Sequence, residues 1–416
     1  MSNLIFCNLK VLLRNTPEEW LEATGGSATL VTGIDQDHTA VWLAENYGDA
    51  FADIYGFSNY AVNDLVLKSA DALVSGGSFT RIVAMTEVDV MRAAILRERH
   101  GIPGLLPKDA IYMRDKILMK ERAAESGILV PRDRKVSNAL EVMDFIDEVG
   151  YPVVLKPSCG AGSMHTFVIG SEQELDRVLE GGCFSGSPVD MMPELLLEEF
   201  IHGEQYHING FYADGKCHFM NVGRYIGTHL DFLHGRHMAS TLLDARSALS
   251  QEIVAFVRKM LETALPFGPD GMFYVEIFQR PDGQLVMGEV GARIGGLSVY
   301  EESRFGFGVD FKMAAVRAFC GRGTPQWPVA EELQRGFVGH VVISPQPGFL
   351  EVIPQECPFD WVLDYRASPA GRRYSAMRGT NGEIATIIVS GENEADVEQN
   401  LLQATQWFYE NTKWSS

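Results

Sequence analysis

The chain has 416 residues, too long for a single ordinary core, and its 46% hydrophobic and 22% charged content is that of a folded globular protein, which excludes a disordered chain and leads us to expect two or three domains. A formal net charge of -20 and a pI near 4.9 oppose any non-specific grip on nucleic acid or anionic lipid, so neither is expected as a partner. A nucleotide stays compatible with this balance, because it needs only local lysine, arginine and backbone N–H groups.

The apolar stretch over 1–13 reads as a first strand. It has neither the basic n-region nor the cleavage site of a leader, and no apolar run in the chain reaches the roughly 18 residues of a membrane span. Short strands over 28–31, 73–74 and 81–85 alternate with helical stretches such as 88–99, an α/β pattern closed by Gly101-Ile102-Pro103-Gly104. Helices over 115–126 and 139–149 end at Gly127 and Gly150, followed by strands over 151–156 and 166–169 around a glycine-rich loop and a helix over 172–179. Strands over 195–200, 206–212 and 216–222 come next, the last two joined by Asp214-Gly215, and then a helix over 251–265. A hairpin over 272–293 turns at Pro281-Asp282-Gly283, and a helix covers 310–319. Beyond about 321, short strands with glycine and proline turns lead to a helix over 394–409. The pattern is α/β followed by α+β, with domains over 1–112, 113–320 and 321–416. Cys7, Cys159, Cys183, Cys217, Cys320 and Cys357 show no C-x-x-C spacing, so neither a zinc site nor a disulfide framework is expected, and a reducing cytoplasm fits.

Three segments carry chemistry. In Val153-Val154-Leu155-Lys156-Pro157-Ser158-Cys159-Gly160-Ala161-Gly162-Ser163, a buried strand delivers a lysine to a loop of small residues whose N–H groups can approach phosphate oxygens. No G-K-[ST] or G-x-G-x-x-G follows, and an ordinary strand-turn-strand also fits. In Leu195-Leu196-Leu197-Glu198-Glu199-Phe200-Ile201-His202-Gly203-Glu204, an apolar strand ends in carboxylates at a turn. Its backbone could meet a flat heterocycle and Glu204 a ribose, or it is a solvated strand end.

The third segment is the hairpin bearing Glu276 and Glu289. A two-residue turn at Asp282-Gly283 pairs these carboxylates directly, at roughly 5 Å, where like charges call for a proton or a bridging cation. Oxygen ligands beside phosphates favour magnesium, and Arg293 lies on the same face, four residues beyond Glu289. Pro281 also suits a longer turn with Gly283 as a left-handed bulge. That turn shifts the pairing by one and sends the carboxylates to opposite faces unless a second bulge restores them.

Arg114-Asp115-Lys116 at a helix start, the Lys156 strand with its loop, the 198–204 hinge and the Glu276/Glu289 hairpin ending in Arg293 resemble, in order and spacing, the ATP-grasp superfamily, and within it the carboxylate-amine ligases of the L-amino-acid ligase type. The resemblance implies a Rossmann-like N-terminal domain, a central two-part ATP-grasp domain with a mobile lid over about 128–197, and a small C-terminal α/β domain. It implies that Lys116 and Lys156 hold ATP, with Gly160, Gly162 and Ser163 in a closing loop. Glu198 and the backbone of Glu199 and Ile201 would meet adenine, and Glu204 the ribose. Glu276 and Glu289 would bind two Mg2+ ions, for which Mn2+ can substitute, and Arg293 would face the transferring phosphoryl group and the tetrahedral adduct, with Lys156 also catalytic. The family usually has asparagine two residues after the second carboxylate, where this chain has Gly291, and a further glycine is common in the loop that here reads Gly162-Ser163-Met164-His165.

The reaction so implied joins a small carboxylate, such as an amino acid, to an amine through an acylphosphate. A biotin-carboxylase-like enzyme that phosphorylates bicarbonate and a non-catalytic ATP-binding module are the competing readings. Other residues are ambiguous. The 229–237 segment has three histidines and Asp231, for a transition metal or for a loop at the acceptor pocket, with His237 placed to orient substrate or take a proton. Arg224 pairs with a substrate carboxylate or forms a surface ion pair. Leu297 and Arg304 limit the side-chain pocket or merely pack a helix, and Glu87 reaches the acceptor or is a helix N-terminal charge. A homodimer stays open.

Overall fold

The computed structural model describes residues 2–160, 162–184, 194–229, 232, 234–265, 267–375 and 382–415. Its first sheet has four parallel strands in the order Asp53–Phe57, Ala28–Gly33, Ser2–Cys7, Phe79–Ala84. Every residue of Ala28–Gly33 is buried, as expected of a parallel strand covered on both faces. Strand order reverses between Ser2–Cys7 and Phe79–Ala84, and in such sheets the ligand crevice lies beyond the carboxyl ends at the reversal. Asn8 and Lys10 follow one of these ends, Thr86 and Glu87 the other, and all four line one large cavity.

The strand expected at 73–74 is not formed. Leu73 and Val74 belong to the helix Leu65–Gly76, which buries Val66, Ala70 and Val74 at i, i+4 and i+8. That stripe is helical, and a two-residue apolar run is too short to set a period of its own.

A second sheet, antiparallel and in the order Asp133–Val136, Leu195–Glu199, Val153–Pro157, Phe167–Ile169, packs against the helices Ala139–Val149 and Glu172–Glu180. The largest sheet has eight strands in the order Leu285–Gly291, Gly271–Gln279, Glu204–Ala213, Lys216–Ile226, His237–Leu242, Phe337–Ile343, Ala385–Gly391, Val362–Ala367. Phe273, Val275 and Ile277 point to one face of it and pack with Ile253, Val257 and Met260 of the helix Ala248–Thr263. The alternate residues Tyr274, Glu276 and Phe278 line the cavity on the other face.

Three strands beyond residue 321 thus continue the sheet that carries Glu276, joined to it through the pairing of Phe337–Ile343 with His237–Leu242. The helix Glu394–Glu410 covers this part, burying Val397, Leu401, Ala404 and Phe408. A small sheet of Arg372–Tyr374, Gly348–Val352 and Lys413–Ser415 completes the strands. Among the described residues no helix is long and apolar enough to cross a membrane.

Candidate active site

The Glu276/Glu289 hairpin contains both registers considered for it. Near the turn Gln279 pairs with Leu285, Phe278 with Val286 and Ile277 with Met287. Beyond Gly288 the pairs are Glu276 with Glu289, Val275 with Val290 and Tyr274 with Gly291. The turn is the longer one: Arg280 N–H donates to the Gln284 carbonyl and Gly283 N–H to the Arg280 carbonyl, each at 2.9 Å, with Gly283 at φ 88°. Left alone, that turn would put the carboxylates on opposite faces. The bulge at Gly288 adds one residue and returns Glu289 to the face of Glu276.

Both carboxylates are braced. Tyr274 Oη donates to Glu276 Oε1 at 2.7 Å and Gln205 Nε2 to Oε2 at 2.9 Å. Tyr225 Oη lies 2.6 Å from Tyr274 Oη, and since the Tyr274 proton is committed to Glu276, Tyr225 is the donor. Glu289 Oε1 faces Lys116 Nζ at 3.2 Å. The pair offers only oxygen donors, and each carboxylate keeps lone pairs beyond those engaged, a set that fits a hard cation such as Mg2+. No group of three or more His, Cys, Asp or Glu side chains converges as a metal cluster among the described residues.

Lys116 owes its position to the cap before it. Asp115 accepts from the N–H groups of Ile117 and Leu118, and Lys116 N–H bonds the Ser158 carbonyl at 2.8 Å, which docks the helix start on the glycine loop. Lys116 Nζ also reaches the Gly160 carbonyl at 3.3 Å. Lys156, on Val153–Pro157, meets Glu198 Oε2 at 2.7 Å, and Glu198 Oε1 takes the buried Lys120 at 2.9 Å. Glu198 thus lies between two lysines while lining the same cavity as Lys156.

Arg293 donates from Nε to Glu87 Oε2 at 2.8 Å and from Nη1 to the Ile294 carbonyl at 2.7 Å, with its guanidinium 4.6 Å over the Tyr274 ring. Glu87 holds Arg114 with its other oxygen. A Cβ at Gly291 would lie 3.3 Å from Glu87 Oε2 and 3.4 Å from Arg293 Nε, so the Glu87–Arg293 pair occupies the space a longer side chain there would need.

Charge fixes the protonation states. Burial disfavours the Glu289 carboxylate, yet Lys116, Lys156 and Arg293 outweigh it and keep the group below its ordinary range. Burial likewise opposes the charge on Lys156 and Arg293, but Glu198 and Glu87 respectively overcome it, so both cations persist. His229 is held low by burial and is neutral at pH 7. Glu198 is held down at about 2 because Lys120 and Lys156 exceed its burial penalty.

Glu198 yields a stability prediction. A depressed carboxyl stabilises the fold above its unfolded value of 4.5 and loses that contribution as pH falls toward about 2, in all on the order of 3 kcal/mol. Asp133, raised to about 6 by burial and then by Glu198, acts oppositely, since acidification through that value favours the folded state. Urea unfolding from pH 6 to pH 3 should show the gap between wild type and Glu198→Gln shrinking only below about 4.5; a gap constant over that window would rule out this pairing.

Lys116, Lys156, Gly160, Gly162, Ser163, Glu198, Glu199, Ile201, Glu204, Glu276, Glu289, Arg293, Leu297 and Glu87 all line one cavity of about 990 Å3. Three other candidates are not in its lining. His237 opens the strand His237–Leu242 instead of lying in a loop, and its ring is 3.4 Å from Tyr409 Oη on the C-terminal helix. His229 and His234 of the same segment line the cavity, while Asp231 lies outside the described residues. Arg224 is taken by Glu204, at 3.2 Å, and by Glu398. Arg304 is taken by Glu19 at 2.6 Å. The sequence reading missed Lys120, Gln205, Tyr225, Tyr274, Lys10 and Arg14. Tyr274 was within reach of it, two residues before Glu276 and so on the same strand face, as was Lys120, one helical turn after Lys116.

Residues 149–301 match the family model described as an ATP-grasp domain. The chain is 28% identical over 366 residues to an L-arginine-specific L-amino acid ligase of Bacillus subtilis, covering 84% of this chain and 86% of the relative. It is 25% identical over 332 residues to dapdiamide A synthase of Enterobacter agglomerans, covering 71% and 74%. Its fold superposes on the crystal structure of an L-amino acid ligase from Bacillus licheniformis with a TM-score of 0.75 at 16% identity, over 100% of this chain and 99% of the other. The matched segment contains the Lys156 strand, the glycine loop and the whole Glu276/Glu289 hairpin, so this chain carries an ATP-grasp domain over 149–301 and is similar, over most of its length, to L-amino acid ligases.

Proposed function

We propose that this chain is an ATP-dependent carboxylate-amine ligase that joins an amino acid or similar small carboxylate to an amine, forming a dipeptide-like amide with release of ADP and phosphate. The observation that carries this reading is the convergence of Glu276, Glu289, Lys116, Lys156 and Arg293 on one cavity that runs from the glycine loop to the switch point of the first sheet. The similarity to two curated ligases supports the same class.

A carboxylate does not condense with an amine unaided, because its leaving group would be oxide. In the first step a substrate carboxylate oxygen bonds to the γ-phosphorus of ATP and the bond from that phosphorus to the β-bridging oxygen breaks, giving an acylphosphate and ADP. In the second the amine nitrogen attacks the acyl carbon, phosphate leaves, and the nitrogen gives up a proton. Lys116 and Lys156 hold phosphate oxygens, and Arg293 stabilises the oxyanion of the tetrahedral adduct. Glu276 and Glu289 would hold magnesium, two ions by the family pattern with manganese able to substitute, which when bound neutralises phosphate charge. Glu204 and the backbone of Glu199 and Ile201 meet the nucleoside, and Leu297 bounds the side-chain pocket.

The test is ADP release across a panel of paired amino acids with mass detection of the products. Turnover that requires two amino acids and yields their amide is expected. Stimulation by bicarbonate and biotin would identify a carboxylase, and tight ATP binding without turnover on any carboxylate a binding module.

A further inference from the structure

One ammonium group ties the carboxylate hairpin to two other elements. Lys120, fully buried on the helix Lys116–Glu125, donates from Nζ to the carbonyl of Gly288 at 2.9 Å and meets Glu198 Oε1 at 2.9 Å. Gly288 is the residue at which the hairpin changes register. At the bulge the N–H of Met287 bonds the Leu129 carbonyl at 2.8 Å, and the Gly288 carbonyl takes Lys120. Lys116, four residues earlier on the same helix face, reaches the very next side chain, Glu289, at 3.2 Å.

Packing does not demand a lysine at this place. A methionine would fill a similar volume without the cost of burying a charge. The ammonium is distinguished by its two partners. The turn at Pro281-Asp282-Gly283 leaves Glu289 one residue out of register with Glu276, and only the bulge corrects it. A bulge whose carbonyl is fixed by a charge-assisted hydrogen bond is held at one position along the strand.

We propose that Lys120 is a positioning residue that pins the bulge at Gly288 and thereby sets Glu289 opposite Glu276 in the geometry for a divalent cation. The same ammonium, through Glu198, links this register to the strand that anchors Lys156. The inference rests on the reading of Glu276 and Glu289 as magnesium ligands.

The test uses the full chain and Mn2+ as probe, titrated with ADP present and followed by the electron paramagnetic resonance of free Mn2+. Lys120→Met is expected to weaken Mn2+ binding about tenfold or more, the range for losing a group that orients a metal ligand. The half-saturating Mg2+ in turnover should rise in parallel, while KM for the amine substrate stays within about twofold. Lys120→Gln, which can still donate to the Gly288 carbonyl, should recover part of the affinity. A Lys120→Met protein with native circular dichroism, cooperative melting and wild-type Mn2+ affinity overturns the inference. Failure of both variants to fold overturns it as well, because Lys120 would then be a general fold determinant. If wild type itself binds no Mn2+ in the presence of ADP, the ligand reading of the two glutamates is what fails.

Discussion

Arg293→Ala is expected to lower kcat for amide formation by roughly 10^3-fold, near the upper end of what removing one oxyanion-stabilising group costs. The fold should tolerate the change. Glu87, the main partner of Arg293, keeps Arg114 and is not left as an unpaired buried charge. What is lost is an ion pair and the stacking of the guanidinium on Tyr274 at 4.6 Å, together about 1 kcal/mol. Arg293→Lys restores the charge but not the planar fork, and with the stem no longer able to bond Glu87 and the Ile294 carbonyl together it should recover only a fraction of the rate. ADP release and thermal melting measured side by side decide the matter: near-normal turnover in a stably folded Arg293→Ala protein would remove Arg293 from the reacting centre.

Arg293 and the two glutamates were legible in the sequence because their information is local. A strand, a turn and a second strand are contiguous, and side-chain direction along them follows from a period of two. The bulge at Gly288 was not legible. It is held by Lys120 and by Leu129, each more than a hundred residues away, and glycine inside a strand signals a bulge without saying which way it corrects the register. The strand His237–Leu242 was hidden for a related reason. It lies in the middle of the eight-stranded sheet, yet it carries Ser240 and Thr241, fully buried, which blur the apolar pattern. Ser240 is accommodated by residues remote in sequence, with His207 Nε2 at 2.6 Å and Glu302 Oε2 at 3.2 Å. Once that strand is in place, His237 is carried toward the C-terminal helix, and the strands beyond 321 extend the sheet that bears Glu276.

Glu289→Ala is expected to cost as much as the loss of Arg293, and with a different signature. Glu289 is the carboxylate toward which the cations converge: Lys116 meets it at 3.2 Å, and Lys156 and Arg293 also favour its ionised form. Glu276 instead gives its oxygens to Tyr274 and Gln205, neutral donors that orient it without cancelling its charge. Removing Glu289 leaves three cations facing one remaining carboxylate, so the site should repel a divalent ion and hold phosphate by lysine alone. Turnover should fall roughly 10^3-fold at ordinary Mg2+, several kcal/mol of charge stabilisation, and should not be restored by raising Mg2+. ATP should still bind, because Lys116, Lys156 and the glycine loop are untouched and the freed lysine turns to phosphate oxygens. Isothermal titration with ADP, with and without Mg2+, separates the two effects. Wild type should bind the magnesium complex more tightly than free ADP, and in Glu289→Ala that preference should vanish or reverse. A variant that keeps the wild-type preference for the magnesium complex would show that the ion is held elsewhere in the cavity.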